Sequence, residues 1–133
     1  MQLRASVGSA PHRMLDNRLD AEALLAACGA DEELLGRICQ ALQKRVPEEL
    51  QRAEQLLAAR DAAGLRESAH KLYGMIAAAS SSVGDIASRL EDQAELGELE
   101  AASRSFRELA EQSAELLAAL DGVSLAQLQL LVD

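Results

Sequence analysis

Aromatic residues and proline are scarce in this sequence. Aromatic residues make up 2% of the 133 residues, and the two prolines are Pro11 and Pro47. Alternating runs of β-branched residues, which are typical of strands, are also absent. Because hydrophobic residues still make up 49% of the chain, the core must be built mostly from Leu and Ala, which suit close helix packing. The composition therefore predicts an all-α fold with no sheet.

Residues that hold metals or carry out catalysis are also few. Cys28 and Cys39 stand apart among apolar neighbours without a CxxC pair, so we expect reduced, buried thiols. The two histidines are His12 and His70, and no serine or cysteine is joined by a second histidine and an acid in a triad. Glycine-rich loops that cradle phosphate are missing. We predict a chain that is not an enzyme.

Positive charge is in short supply. The formal net charge of −9 disfavours sequence-independent binding to nucleic acid or to anionic lipid, because both depend on clustered Lys and Arg. The N-terminus lacks the apolar run of a signal peptide, and no stretch approaches the ~20 apolar residues of a membrane span. We therefore predict no nucleic-acid partner, no membrane partner and a cytoplasmic location.

Apolar residues recur at three- and four-residue steps in five segments, which predicts five helices. The segments are Asn17 to Cys28, Asp31 to Ala59, Asp61 to Ala79, Ser80 to Leu96, and Leu99 to Leu120. Short links between the last four predict an up-down-up-down antiparallel four-helix bundle, with the short first helix as an N-terminal cap. Pro47 lies inside the second segment and should bend that helix rather than break it.

The chain divides into three parts. Residues 1–16 mix Gly, Ser, Pro and Arg without a steady apolar period, and are predicted to be a flexible N-terminal arm or linker. Residues 17–122 contain the predicted bundle. Residues 123–133 form a short apolar tail that could be helical, and we expect it to dock on the bundle because it would promote aggregation if exposed.

One stretch of the third predicted helix, residues 67–76, holds the only histidine in helix-forming sequence. Apolar residues on one side of this helix form a stripe that should be buried: Leu65, Ala69, Leu72, Ile76 and Ala79. His70 and Gly74 fall beside that stripe, so His70 should lie at the edge of the core, facing water. A mid-helix glycine costs up to ~1 kcal/mol relative to Ala, so Gly74 serves either clearance for a partner or close packing of a neighbouring helix.

The pair Ala69-His70, with Leu72 two residues after the histidine and Gly74 four after it, resembles the signature of the histidine phosphotransfer (HPt) domain family. The resemblance covers residues 17 to 120. It also includes positions upstream and downstream of the signature: Asp61, Leu65, Leu90 and Glu91.

Two positions depart from the family pattern. Tyr73 stands where many members carry Lys, and Ser80 stands where many carry Gly. Lys71 is the candidate substitute for the missing cation. Arg66 and Lys71 flank His70 and could screen the roughly −2 charge that a phosphoryl group adds.

Each of these basic residues could equally be an ordinary surface charge. In that interpretation Glu67 pairs with Lys71 at i, i+4. Tyr73 should lie beside the imidazole and hold it by packing or through its hydroxyl.

The resemblance implies a phosphorelay intermediate. His70 would accept a phosphoryl group from the aspartate of a receiver domain, in a response regulator or a hybrid histidine kinase, and pass it to another receiver. The chain would need no cofactor, and Mg²⁺ is expected only on the partner receiver. We expect a monomer, either free or as a domain of a hybrid kinase.

Two other interpretations come from different classes. A helical adaptor or dimerisation module could keep the bundle without the chemistry, and Tyr73 in the lysine position keeps that alternative open. Glu67 and His70 have the Glu-x-x-His spacing of di-iron bundles, but that site needs a second such pair. The only other histidine is His12, so we predict no metal site.

Overall fold

The structure is a computed structural model that describes residues 19–132. Six α-helices hold 83% of these residues, and no strand occurs among them, which confirms the prediction of an all-α fold. The helices are α1 (Ala21–Cys28), α2 (Glu32–Ala58), α3 (Ala62–Ile76), α4 (Ser81–Glu95), α5 (Leu99–Leu120) and α6 (Leu125–Val132). The predicted N-terminal arm, His12 and the helix start at Asn17 lie outside the described residues.

Five of the helices begin at a side chain that accepts a hydrogen bond from a backbone amide of the first turn. These side chains are Asp20, Asp31, Asp61, Ser80 and Ser124, and their bonds measure 2.9–3.2 Å. Each bond satisfies an amide that has no partner within the helix. Asp31, Asp61 and Ser80, the first residues of three predicted segments, are therefore the N-caps of α2, α3 and α4.

α3 ends at Ile76, three residues before the predicted end at Ala79. The amides of Ala79 and Ser80 both donate to the carbonyl of Ile76 at 2.9 Å. The chain therefore makes a tight turn here, and the helix does not continue. The Ala79 carbonyl then accepts from the amide of Asp20 at 2.6 Å, so the start of α1 is attached to this turn. α2, by contrast, continues through Pro47 without a break.

α3 lies between α2 and α4, and α5 packs against the same two helices. The space between the four is filled by side chains less than 2% exposed, and the largest of these, apart from Val46 and Val83, are leucine or isoleucine. They include Leu35, Leu65, Leu72, Ile76, Leu90, Leu109 and Leu116. Close packing of such side chains at helix spacing is what the small, aliphatic composition allows.

α1 packs against α2 and against α6, the helix formed by the apolar tail. Leu128 of α6 is fully buried, whereas Leu130 and Val132 remain exposed. The first amide of α6, on Leu125, donates to the Glu32 carboxylate at 3.2 Å, which ties α6 to the start of α2. Among the described helices, none is by itself long and apolar enough to cross a membrane, and one bent pair, α5 with α6, passes that test by length and composition only.

Cys28 and Cys39 are free thiols and both are buried, as expected. Burial raises the pKa of the Cys39 thiol, and Cys28 nearby adds to the effect. Because the thiolate is the reactive form, a raised pKa makes this cysteine less reactive. The two residues therefore act as small hydrophobic side chains of the core.

Two buried serines differ in how their hydroxyls are satisfied. Ser68 of α3 donates to the carboxylate of Glu49 on α2 at 2.6 Å, and the Glu49 side chain is only 14% exposed. Ser113 of α5 is fully buried, and its hydroxyl has no partner among the described residues. The Ser68 hydroxyl therefore links α2 to α3. The Ser113 hydroxyl is buried without a hydrogen bond to offset the cost of removing it from water.

We predict opposite effects of alanine at these two serines. Ser68→Ala should lower the free energy of unfolding by about 1–3 kcal/mol, because the Glu49 carboxylate loses its donor inside the protein. Ser113→Ala should leave stability unchanged or raise it, because the buried, unpaired hydroxyl is removed. Urea unfolding followed by circular dichroism measures both. Equal destabilisation by the two variants would contradict the hydrogen-bond assignment.

Candidate functional site

His70 lies on the exposed side of α3, with 68% of its side chain accessible. Its sequence neighbours on the buried stripe, Ala69 and Leu72, are fully buried. Because a helix turns by about 100° per residue, burial of those positions turns the next strip of the helix to the surface. His70 therefore stands at the edge of the core, and its imidazole is open to an approaching molecule.

Glu91 of α4 holds the imidazole from one side. The Nδ1 atom of His70 lies 3.2 Å from each oxygen of the Glu91 carboxylate, which is itself mostly buried. An ionised carboxylate only accepts hydrogen bonds, so Nδ1 carries the proton and donates it. The lone pair of the neutral ring is then on Nε2, the nitrogen that does not face α4. This geometry leaves Nε2 as the nucleophilic atom.

Glu91 was not predicted as a site residue. Leu90 and Glu91 were part of the family resemblance, but no role was predicted for the glutamate. The sequence feature that could have pointed to Glu91 is its position directly after Leu90. Leu90 belongs to the apolar stripe of α4 and is fully buried in the structure. The contact itself spans 21 positions of sequence and depends on how α3 and α4 pack.

Gly74 lies one turn after His70 in open space. A Cβ atom built there would meet nothing within 4 Å, so no neighbouring helix packs against this position. A Cβ built on Gly84 of α4 would lie 3.2 Å from both Cα and Cβ of Ala77. Close helix packing is thus the role of Gly84, and the close-packing interpretation of Gly74 is wrong. Clearance is the interpretation that the geometry leaves for Gly74.

An open groove runs between α2 and α3 beside Gly74, and we call it the α2–α3 groove. It is lined by Arg45, Glu48, Glu49, Lys71, Gly74 and Met75. Neither of its cations, Arg45 and Lys71, makes an ion pair with a described residue. The Glu67–Lys71 pair, which the surface-charge interpretation included, is also not formed, and both side chains are exposed. Arg45 had not been predicted as a site residue.

Among the residues that the structure describes, the other predicted site residues make no hydrogen bond to His70. Arg66 is half-buried, Glu67 is exposed, and Tyr73 is 40% exposed. The Tyr73 hydroxyl makes no hydrogen bond to a described residue, so the imidazole is held by Glu91 and not by this hydroxyl. In the described part of the chain, no group of three or more His, Cys, Asp and Glu residues is arranged to hold a metal ion.

The fold and the site define a class: a helical protein that presents one exposed imidazole, held by a carboxylate from the next helix. Comparison with known families gives the same result, since the model of the Hpt domain matches residues 37–124, more than half of the chain. No curated protein and no solved structure matched. The chain belongs to the Hpt domain family, whose members take part in histidine phosphotransfer in phosphorelays. The resemblance inferred from the sequence is confirmed.

The surroundings of Gly74 and Gly84 predict a contrast in stability. Gly74→Ala should leave stability unchanged or raise it by up to ~1 kcal/mol, because helix propensity improves and nothing is displaced. Gly84→Ala should destabilise by about 1 kcal/mol, because overpacking against the Ala77 backbone exceeds the same propensity gain. Thermal unfolding of the two variants measures the difference. A Gly74→Ala protein that melts well below the Gly84→Ala protein would contradict this assignment.

Proposed function

We propose that this chain is a phosphorelay intermediate that carries a phosphoryl group on Nε2 of His70. The observation that carries the proposal is the exposed imidazole whose Nδ1–H donates to Glu91, on a chain of the Hpt family. The phosphoryl group comes from the aspartate of one receiver domain and goes to the aspartate of another. The chain acts as a carrier, and Mg²⁺ belongs to the receiver.

On this side of the complex the chemistry uses the imidazole of His70 and the carboxylate of Glu91. The Nε2 lone pair attacks the phosphorus of the aspartyl phosphate, the bond from phosphorus to the aspartate oxygen breaks, and the aspartate leaves as a carboxylate. The ring now bears a positive charge, which the Glu91 carboxylate stabilises through Nδ1–H. In the return step a second aspartate attacks the phosphorus and the neutral ring leaves. No net proton transfer is required, so the step runs in both directions.

Residues around His70 fit the approach of a partner. Gly74 leaves open the space one turn along the helix, where a side chain would stand between the imidazole and the receiver. Lys71 lies in the α2–α3 groove beside Gly74 and supplies a cation on that side of α3. The position of the family lysine itself holds Tyr73. Arg66 and Glu67 lie one turn before His70 and are the other charged residues of the predicted site. An exposed cation such as Lys71 contributes modestly to the free energy of binding, because solvent screens its charge.

The bundle supports this use of α3. α2 packs on α3, α3 on α4, α4 on α5, and α5 returns to α2, an order that favours the up-down-up-down antiparallel four-helix arrangement with α1 as the cap. In that arrangement the site lies on the outside of the bundle, reachable by a folded domain. The alternative of a helical adaptor without phosphotransfer predicts the same bundle but no chemistry at His70, and phosphoryl labelling separates the two.

The direct test is transfer from a phosphorylated receiver domain. The unmodified chain should acquire phosphate that is labile in acid and stable in base, as expected of phosphohistidine. His70→Gln should abolish this labelling with no change in helix content, because removal of a mostly exposed side chain opens no cavity. Labelling that persists in His70→Gln would move the site to the other histidine, His12.

A second test addresses Glu91. Glu91→Ala should slow phosphoryl uptake about tenfold, because a hydrogen bond to a charged group is worth about 1.5 kcal/mol at a partly exposed site. Glu91→Gln should take up phosphate at a rate between those of the parent and Glu91→Ala, since its amide oxygen still accepts from Nδ1–H but bears no charge. Glu95→Ala, an exposed acid one turn later on α4, is the control and should transfer at the parent rate. If Glu91→Ala and Glu95→Ala take up phosphate at equal rates, the hydrogen bond from Nδ1 of His70 to Glu91 has no role in the transfer.

A further inference from the structure

The two flanks of α3 offer different surfaces to a partner. On the α4 side, Glu91 is bound to Nδ1 of His70, so that nitrogen and that carboxylate are already engaged. On the α2 side lies the α2–α3 groove, open beside Gly74. Gly74 stands one turn after His70, so a folded domain that covers the groove also covers the exposed imidazole.

The charges of the α2–α3 groove are not equivalent. Glu49 is engaged, because it accepts the hydroxyl of Ser68 at 2.6 Å and lies 4.0 Å from Arg52. Arg45 and Lys71 make no ion pair with a described residue, although the chain as a whole carries a net charge of −9. Glu48, the other acid of the groove, is exposed and also makes no ion pair with a described residue, so the unpaired charges of the groove are two cations and one anion. In a chain this acidic, such a local excess of positive charge favours an acidic partner.

Arg45 and Lys71 are brought together by the packing of α2 on α3. The hydrogen bond between Ser68 and Glu49 holds the two helices in one register, and the groove walls are built from neighbouring turns of each helix. This register places Arg45 of α2 in the same groove as Lys71 of α3. Two helices therefore contribute the positive charge of the groove.

We propose that Arg45 is a specificity-determining contact for the receiver domain, which seats over the α2–α3 groove. The inference rests on the proposed phosphorelay function. The occupant is a receiver because its reacting group is an aspartyl phosphate, an anionic centre whose charge complements Arg45 and Lys71. Charge complementarity of this kind acts mainly on the rate of productive encounter and on the choice of partner. Arg45 contacts the partner and takes no part in the phosphoryl step itself.

The test compares Arg45→Glu with Arg104→Glu. Arg104 is an exposed arginine on α5, makes no ion pair with a described residue, and gives the same change in net charge. A panel of purified receiver domains is phosphorylated with radiolabelled acetyl phosphate, and the one that transfers fastest to the unmodified chain is used throughout. Transfer is measured as a second-order rate constant at low and at high salt.

Arg45→Glu should lower the second-order rate constant about tenfold at low salt, with a smaller loss at high salt, because screening weakens exposed charges. Arg104→Glu should stay within about twofold of the parent, since a distant charge steers the partner weakly. Arg45→Lys should restore most of the rate, as expected of a charge contact. Arg45→Ala, which adds no negative charge, should give an intermediate loss and keeps the test decisive if Arg45→Glu does not fold.

A separate reaction with phosphoramidate, a small phosphoryl donor that needs no docking, reports on His70 alone. All Arg45 variants should be labelled by phosphoramidate at the parent rate. If the parent accepts phosphate from no receiver in the panel, the proposed function fails. If the parent accepts it normally and Arg45→Glu behaves like Arg104→Glu, the phosphorelay function stands and the assignment of Arg45 is wrong.

Discussion

Burial of one face of α3 determines where everything else in the site lies. Leu65, Ala69, Leu72 and Ile76 are fully buried between the neighbouring helices. Burying each large aliphatic side chain contributes roughly 1.5–3 kcal/mol, so rotation of α3 about its axis would expose several of them at a high cost. The strip that carries His70 is therefore held at the surface by the hydrophobic core.

The neighbours of α3 divide the work of the site between them. α4 contributes Glu91, which lies against Nδ1 of His70; in the proposed phosphotransfer it selects the ring nitrogen that reacts and stabilises the charge on the phosphorylated ring. α2 contributes the far wall of the α2–α3 groove, held in register by the hydrogen bond between Glu49 and Ser68. One flank thus adjusts the chemistry of the histidine, and the other presents charge to whatever approaches it.

The outer elements close one end of the bundle. α1 and α6 pack on each other, and α1 lies outside the segment that the family model matches, as does all of α6. The amide of Asp20 binds the Ala79 carbonyl, and the Glu32 carboxylate binds the first amide of α6. These bonds attach both short helices to the ends of the long ones. Because they use side chains and amides at helix ends, they leave the surface around His70 unobstructed.

Local periodicity was enough to predict much of this protein from its sequence. The apolar repeat along α3, the caps Asp31 and Ser80 and the exposure of His70 all depend on residues within one or two turns, where geometry follows directly from sequence spacing. The end of α3 was placed too late because hydrogen bonds at a turn compete with one more helical turn. Only the tertiary structure decided which carboxylate binds His70, which glycine is packed, and that Arg45 stands beside Lys71. Those relations join residues many positions apart, and their distances are set by how whole helices cross.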